Sequence, residues 1–351
     1  MRNIPSILRN RRSGELGEPN WIDQLHAKVV GQTEGLASVV PYVQMYQAGL
    51  APEGRPVGVF LLLGPTGTGK TRTVEALAEV LHGSAKHVLR IDCGEFQMEH
   101  EVAKLIGAPP GYLGHRETQP MLSQMKLNAV TSEKLNLSIV LFDEIEKAAG
   151  SMTRLLLGVL DKATLRLGDN TSVNFDRSLI FMTSNLGARE MARAMTPDFG
   201  FEAMVTDNIA TTGSSGANKL EAVCLAAVKR KFSPEFINRV DVMATYHPLG
   251  RTSMEQILDQ QLTILQDHID RRLAERSFKI SVPKSAREFL LNKGTSKEYG
   301  ARELKRVIHR FVMQPLAAMV SDGQIEADAE VVLEVDAGRE RLTLMPTQRA
   351  A

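Results

Sequence analysis

The chain has 351 residues, a formal net charge of +1, and 43% hydrophobic and 24% charged residues. That length accommodates two packed domains, and the near-neutral balance removes any global electrostatic argument for nucleic acid or an anionic membrane. No apolar run reaches the length of a membrane span, and the two cysteines, Cys93 and Cys224, lie far apart without metal-type spacing, which points to a reducing, cytosolic setting.

The first twenty residues carry Arg2, Arg9, Arg11 and Arg12 but no apolar stretch of the kind a secretory signal needs. They read as a flexible basic arm, with Trp21 expected to staple it to the body. Residues 57–63 then form an unbroken apolar run, read as a strand buried on both faces. It leads into Gly64-Pro65-Thr66-Gly67-Thr68-Gly69-Lys70-Thr71, a full match to G-x-x-x-x-G-K-[ST], and on into a helical stretch over 72–81. Strand, glycine-rich loop and helix in that order form a phosphate cradle. The glycines let backbone N–H groups turn inward, and the helix adds its positive N-terminal end. ATP with Mg²⁺ is therefore the expected ligand, with Lys70 reaching the β- and γ-phosphates and Thr71 ligating the metal.

A second strand is expected over 87–91, with Cys93 behind it as a small buried residue. The run over 138–142 ends in Asp143-Glu144. A carboxylate at a strand tip is placed to hold Mg²⁺, and the next one to polarise an attacking water, so Asp143 and Glu144 are assigned those tasks. A helix follows over 152–162, then a strand over 178–183 ending at Ser184-Asn185. Asn185 can hydrogen-bond the γ-phosphate or the lytic water, although an asparagine after a strand is by itself usually a turn residue. Residues 196–218, rich in Pro, Gly and Ser, read as an exposed mobile loop, and 240–245 as a further strand. Alternating apolar strands and helices give an α/β three-layer fold with a parallel sheet.

Beyond 248 the texture changes. Ile257, Leu258, Leu262, Leu265, Ile269 and Leu273 recur at helical spacing within 253–274. Further helices are expected over 285–291 and 302–321, with short strands over 278–282, 330–335 and 342–344. The division is an arm (1–20), a large α/β ATPase domain (21–247) and a small, mainly helical lid domain (248–351).

Four more strings carry a resemblance. Val29-Val30-Gly31-Gln32 precedes the first strand. Ile106-Gly107-Ala108-Pro109-Pro110-Gly111-Tyr112-Leu113-Gly114 follows the second. Phe232-Ser233-Pro234-Glu235-Phe236-Ile237-Asn238-Arg239-Val240-Asp241 and Tyr299-Gly300-Ala301-Arg302 stand further on. Together with the phosphate loop they resemble the AAA+ superfamily, and closely the second ATPase module of the ClpB, ClpA and ClpC protein unfoldases. The resemblance implies that Val29 and Val30 line the adenine side and that Asn185 is sensor 1. It makes Arg239 an arginine finger reaching into a neighbouring subunit, and Arg302 sensor 2, which couples the lid to nucleotide. Without these motifs, a surface ion pair would be the favoured reading of either arginine. A finger acting in trans implies a ring of copies of the chain, by resemblance a hexamer.

The same resemblance makes Tyr112, with Leu113, a pore loop that grips an extended polypeptide, an aromatic offering sequence-tolerant contact area. The string departs from the family after Gly114, where His115-Arg116-Glu117-Thr118-Gln119-Pro120 stands. Phe199-Gly200-Phe201 resembles the aliphatic-Gly-Phe tripeptide with which protease-coupled relatives dock a ClpP-type peptidase, with Phe in place of the aliphatic residue. No N-terminal substrate domain or first ATPase module fits before Trp21, so a single-ring protein or a fragment is expected. Two function classes follow: an ATP-driven motor that threads polypeptide, and a nucleotide-gated switch or scaffold acting on another protein or on nucleic acid. Gly111-Tyr112-Leu113-Gly114 favours the motor, and the lack of a clustered basic face weighs against nucleic acid.

Overall fold

The computed structural model describes residues 20–107, 120–188, 190–191, 215–295, 300–336 and 341–347. The basic arm, Tyr112 and Leu113, Phe199-Gly200-Phe201 and Tyr299 lie outside the described residues.

The strands of the large sheet are β1 (Gly58–Leu63), β2 (Leu89–Asp92), β3 (Ser138–Asp143), β6 (Ser178–Ser184) and β7 (Val242–Thr245). Their order is β2-β3-β6-β1-β7, and every pairing is parallel. Alternation along β1 sorts its side chains to two faces. Val59, Leu61 and Leu63 join one apolar cluster with Val140, Phe142, Ile180 and Met182. Phe60 and Leu62 join another with Ile139, Leu141, Leu179 and Phe181. Helix α6 (Gly150–Lys162) and helix Ser215–Lys231 cover the first face through Met152, Leu156, Val159 and Val228. The second face is covered by α1 (Trp21–Lys28), α2 (Thr33–Gln47) and α3 (Lys70–His82) through Leu25, Leu36, Val43, Val74 and Leu77. Burial on both faces is why these strands read as unbroken apolar runs. Each fully buried Leu or Phe side chain contributes ~1.5–3 kcal/mol. Phe60 adds aromatic contacts with Phe181, stacked at 4.8 Å, and with Tyr42, edge-on at 5.0 Å.

Some elements differ from expectation. Trp21 does pack on the second face, but as the first residue of a helix. Helix α2 was not legible because Pro41 lies inside it and removes one internal hydrogen bond. A hairpin of β4 (Thr164–Arg166) and β5 (Ser172–Asn174) adds to the expected elements. Its strands have three residues each, and its turn signal is Asn170 at φ 68°. Helix Ser215–Lys231 begins within the stretch expected to be irregular.

A third apolar cluster gathers residues from Met254 to Leu344. Helices Arg251–Leu273, Lys284–Gly294, Ala301–Ile308 and Gln314–Ser321 pack there with a three-stranded sheet, β10 (Arg341–Thr347), β9 (Glu330–Asp336) and β8 (Lys279–Ser281). The helix expected over 302–321 is interrupted by a π turn at His309–Met313. Pro315 has no N–H for the carbonyl four residues back, and the helix widens just before it. Among the described residues no helix is long and apolar enough to cross a membrane.

Cys93 and Cys224 are free and buried. Burial, with carboxylates nearby, holds the Cys93 thiol far above its ordinary value and pushes Cys224 up to about 11. At pH 8 both are thiols rather than thiolates, so iodoacetamide is expected to leave the native protein unmodified and to label both sites in denaturant. Labelling of native protein at the rate of an exposed cysteine would contradict this burial.

Candidate active site

The phosphate loop joins β1 to α3. Gly64, Gly67 and Gly69 hold φ of 132°, 77° and 106°, in the region open to glycine. At Gly64 an added Cβ would come 2.3 Å from the Tyr246 carbonyl oxygen. The loop is thus pressed against the end of β7, where Tyr246 donates its hydroxyl to Thr73 at 2.8 Å.

Lys70 is buried, and its ammonium donates to Gly64 O at 2.6 Å, Pro65 O at 2.8 Å and Asn185 Oδ1 at 3.0 Å. Burial pushes its pKa down to about 8, against the pull of Glu146 and Asp143 and with the push of Arg302. The same Asn185 donates from Nδ2 to Glu144 Oε1 at 3.1 Å, and its backbone N–H donates to Glu146 Oε1 at 3.1 Å. One amide therefore links the loop lysine on β1–α3 to the carboxylate after β3. Sheet order explains this, since β6 runs between β1 and β3 and the tips of all three strands share one edge. In open parallel sheets that edge is where ligands bind.

Asp143 is buried. One carboxylate oxygen accepts from Thr183 Oγ1 and the other from the guanidinium of Arg90. Glu144 stands at φ 56°, with its backbone N–H donating to Thr183 Oγ1 at 3.0 Å. Thr183 thereby fixes the turn that sends the two carboxylates in different directions. Lys147 pairs with Glu144 at 2.5 Å, and that contact raises the Lys147 pKa.

Around this edge lies a cleft of about 300 Å³. It brings together Val29 and Val30, the loop from Thr66 to Thr71, Asp143, Glu144, Asn185 and Arg302. Gly64 and Pro65 lie beneath the loop and lend their carbonyls to Lys70. Leu249 and Ile257 line the cleft together with Val29 and Val30 and add apolar surface to it. The second wall is held close: Ala301 N–H donates to Gly67 O at 3.2 Å, and Gln260 Nε2 to Ala27 O at 2.9 Å. Arg302 follows directly and forms no ion pair among the described residues. Arg239 is not in the cleft. It sits before β7 at the sheet edge and pairs with Asp161 of α6 at 2.9 Å, while its Nε is buried without a partner.

Several residues here were not singled out by sequence reasoning. Gln32 is buried, and its Nε2 donates to Thr68 O at 3.0 Å and His247 O at 2.9 Å. Its Oε1 accepts from His247 N–H at 3.3 Å. Thr183 had a signal, a polar residue within a buried strand. Arg90, Lys147 and Glu146 had none, being ordinary charged residues in a chain that is 24% charged.

No all-protein metal centre exists among the described residues, since no three His, Cys, Asp or Glu gather to hold an ion. The oxygen donors Thr71 and Asp143 in an otherwise open cleft suit Mg²⁺, which takes one or two protein oxygens and completes its shell with phosphates and water. A guanidinium already resting on Asp143 marks that carboxylate as a place for positive charge.

The AAA domain (Cdc48 subfamily) family profile matches residues 55–243. The chain belongs to the AAA family of ATPases. A second profile, the C-terminal D2-small domain of ClpB protein, matches residues 249–333 of this AAA chain. Among curated relatives, "ATP-dependent Clp protease ATP-binding subunit ClpC" of Staphylococcus saprophyticus is 35% identical over 90% of the chain and 36% of its own length. "Chaperone protein ClpB" of Brucella suis is 37% identical over 93% of the chain and 34% of its own length. The chain thus spans about a third of the length of these relatives. Among solved structures, S. cerevisiae Hsp104 in complex with casein matches with a TM-score of 0.77 at 26% identity, covering 92% of this chain and 51% of that one. A closed state of Hsp104 with ATPγS and FITC casein matches with a TM-score of 0.75 at 26% identity. The AAA fold, with a helical small domain and short strands, is common to them.

Proposed function

We propose that this AAA chain hydrolyses ATP in a ring of copies of itself and uses the energy to draw polypeptide through the central channel. The observation that carries this is the line Lys70–Asn185–Glu144 across one sheet edge. It sets the phosphate-binding cation and the water-activating carboxylate either side of one amide.

In this reading, incoming β- and γ-phosphates replace the loop carbonyls as acceptors for Lys70. Thr71 and Asp143 would hold Mg²⁺, which when bound would neutralise phosphate charge. Glu144 takes a proton from water as that water attacks the γ-phosphorus. The bond to the β–γ bridging oxygen breaks, ADP leaves with that oxygen, and the proton passes on to the released phosphate. Asn185 orients the water or the γ-phosphate. Arg302 of the same chain and Arg239 of a neighbouring copy supply positive charge as negative charge develops on the phosphate. Val29 and Val30, with Leu249 and Ile257 lining the same cleft, hold the adenine. The large domain runs to 247 and the lid begins at 248, with the junction at His247.

The rest of the motor rests on the Clp resemblance. Tyr112 and Leu113 grip the polypeptide, and the ring is a hexamer. Phe199-Gly200-Phe201 docks a ClpP-type peptidase, in keeping with the ClpC relative's description as a protease subunit. The setting is cytoplasmic, where two free thiols stay reduced. The test is ATP-dependent unfolding of a tagged fluorescent protein, with ATPase recorded in parallel. Tyr112→Ala is expected to abolish unfolding while ATPase persists. ATPase without unfolding in either protein would remove the threading reading and leave a nucleotide-gated switch.

A further inference from the structure

Charged side chains form an unbroken series beside the cleft, all but Glu79 lining it. Lys28 meets Glu79 at 2.8 Å, Glu79 meets Arg72 at 2.6 Å, and Arg72 approaches Glu75 at 3.9 Å. Arg90 closes the series. Its Nη1 lies 4.0 Å from Glu75 and its Nη2 is hydrogen-bonded to Asp143 Oδ2. The other oxygen of Asp143 is taken by Thr183. Asp143 is the candidate metal-holding carboxylate, its side chain is only 11% exposed, and the groups described leave it no oxygen without a donor.

A cation arriving at Asp143 meets a site already neutralised by a guanidinium. Two positive charges cannot share one carboxylate at contact distance without mutual repulsion. Arg90 is half-exposed, with four rotatable side-chain bonds, and a second carboxylate stands within its reach. Resting on the proposed assignment of Asp143 to Mg²⁺, we infer that Arg90 is a cation gate. It occupies Asp143 before loading and transfers to Glu75 when the metal–nucleotide complex binds. Arg90 is a positioning residue in this role. Its ion pair sets the magnesium concentration at which the site loads, and Glu75 supplies the alternative seat.

The two carboxylates make opposite predictions for two variants. Binding of N-methylanthraniloyl-ADP is followed by fluorescence as MgCl₂ is titrated into the full chain, so no turnover enters the readout. Arg90→Gln is expected to lower the half-saturating magnesium concentration by about two- to fivefold, the range for a partly exposed ion pair. Glu75→Gln is expected to raise it, because the displaced guanidinium has lost its second partner. A merely structural role for Arg90 would weaken binding with or without magnesium and would not give shifts of opposite sign. An unchanged or higher half-saturation in Arg90→Gln overturns the gate. So does an unchanged or lower one in Glu75→Gln. If wild-type binding itself ignores magnesium, the assignment of Asp143 falls and the gate falls with it. If wild type responds to magnesium and the variants do not differ from it, the gate alone is wrong.

Discussion

Glu144→Gln is expected to bind nucleotide with near-wild-type affinity and to lose hydrolysis by about 10²- to 10⁴-fold, the range for removing a general base. The glutamine is isosteric, and its carbonyl oxygen can still accept from Asn185 Nδ2 or Lys147 Nζ, the two groups that hold Glu144. The turn at φ 56° is fixed by Thr183 through the backbone and not through the Glu144 side chain. Geometry is therefore preserved while the capacity to take a proton is removed. Phosphate release measured beside fluorescent-nucleotide binding checks both halves. Turnover within a few-fold of wild type would take Glu144 out of its proposed role and shift attention to Glu146, which accepts from the Asn185 backbone nearby.

Arg239→Ala is the second large effect. The residue is absent from its own chain's cleft and is paired with Asp161 at 2.9 Å, both side chains more than a third exposed. Such a pair contributes at most about 1 kcal/mol to stability, so the monomer's melting temperature is expected to move little. ATPase, however, should fall by about 10²-fold or more if the guanidinium completes a neighbour's site. Mixing separates this from a local defect. An equimolar blend of Arg239→Ala and Glu144→Gln chains contains interfaces with an intact carboxylate on one side and an intact arginine on the other. In a head-to-tail ring about a quarter of interfaces qualify, and activity should return in that proportion. A blend no more active than its components would rule out action across an interface. A large loss of thermal stability in Arg239→Ala alone would instead give the Asp161 pair a structural task.

What was legible in the sequence follows from how far apart the cooperating residues lie. The phosphate loop is eight consecutive residues whose glycines are demanded by φ at Gly64, Gly67 and Gly69, so composition and order report it directly. Asp143, Glu144 and Asn185 end apolar strands, and the edge they share follows from parallel β-α-β connection. Gln32 was visible as part of a motif, but its partners Thr68 and His247 are 36 and 215 residues away. No periodicity or local spacing encodes such a contact. Arg90 was hidden for a related reason: a charged residue on an edge strand reads as solvated until the fold sets Asp143 beside it. In the small domain the helical stripe was readable, whereas the π turn before Pro315 reflects a missing backbone donor that apolar spacing does not register.

The Gln32 side chain uses both amide protons and its oxygen at once, tying the phosphate loop to the peptide of His247. His247 is also where the chain leaves the large sheet for the helix that begins at Arg251. The peptide that precedes the small domain is therefore held against the phosphate loop by one side chain. Ala301 N–H on Gly67 O ties a second part of the small domain to the same loop. A change in the shape of the phosphate loop must therefore either carry the small domain with it or break one of these hydrogen bonds.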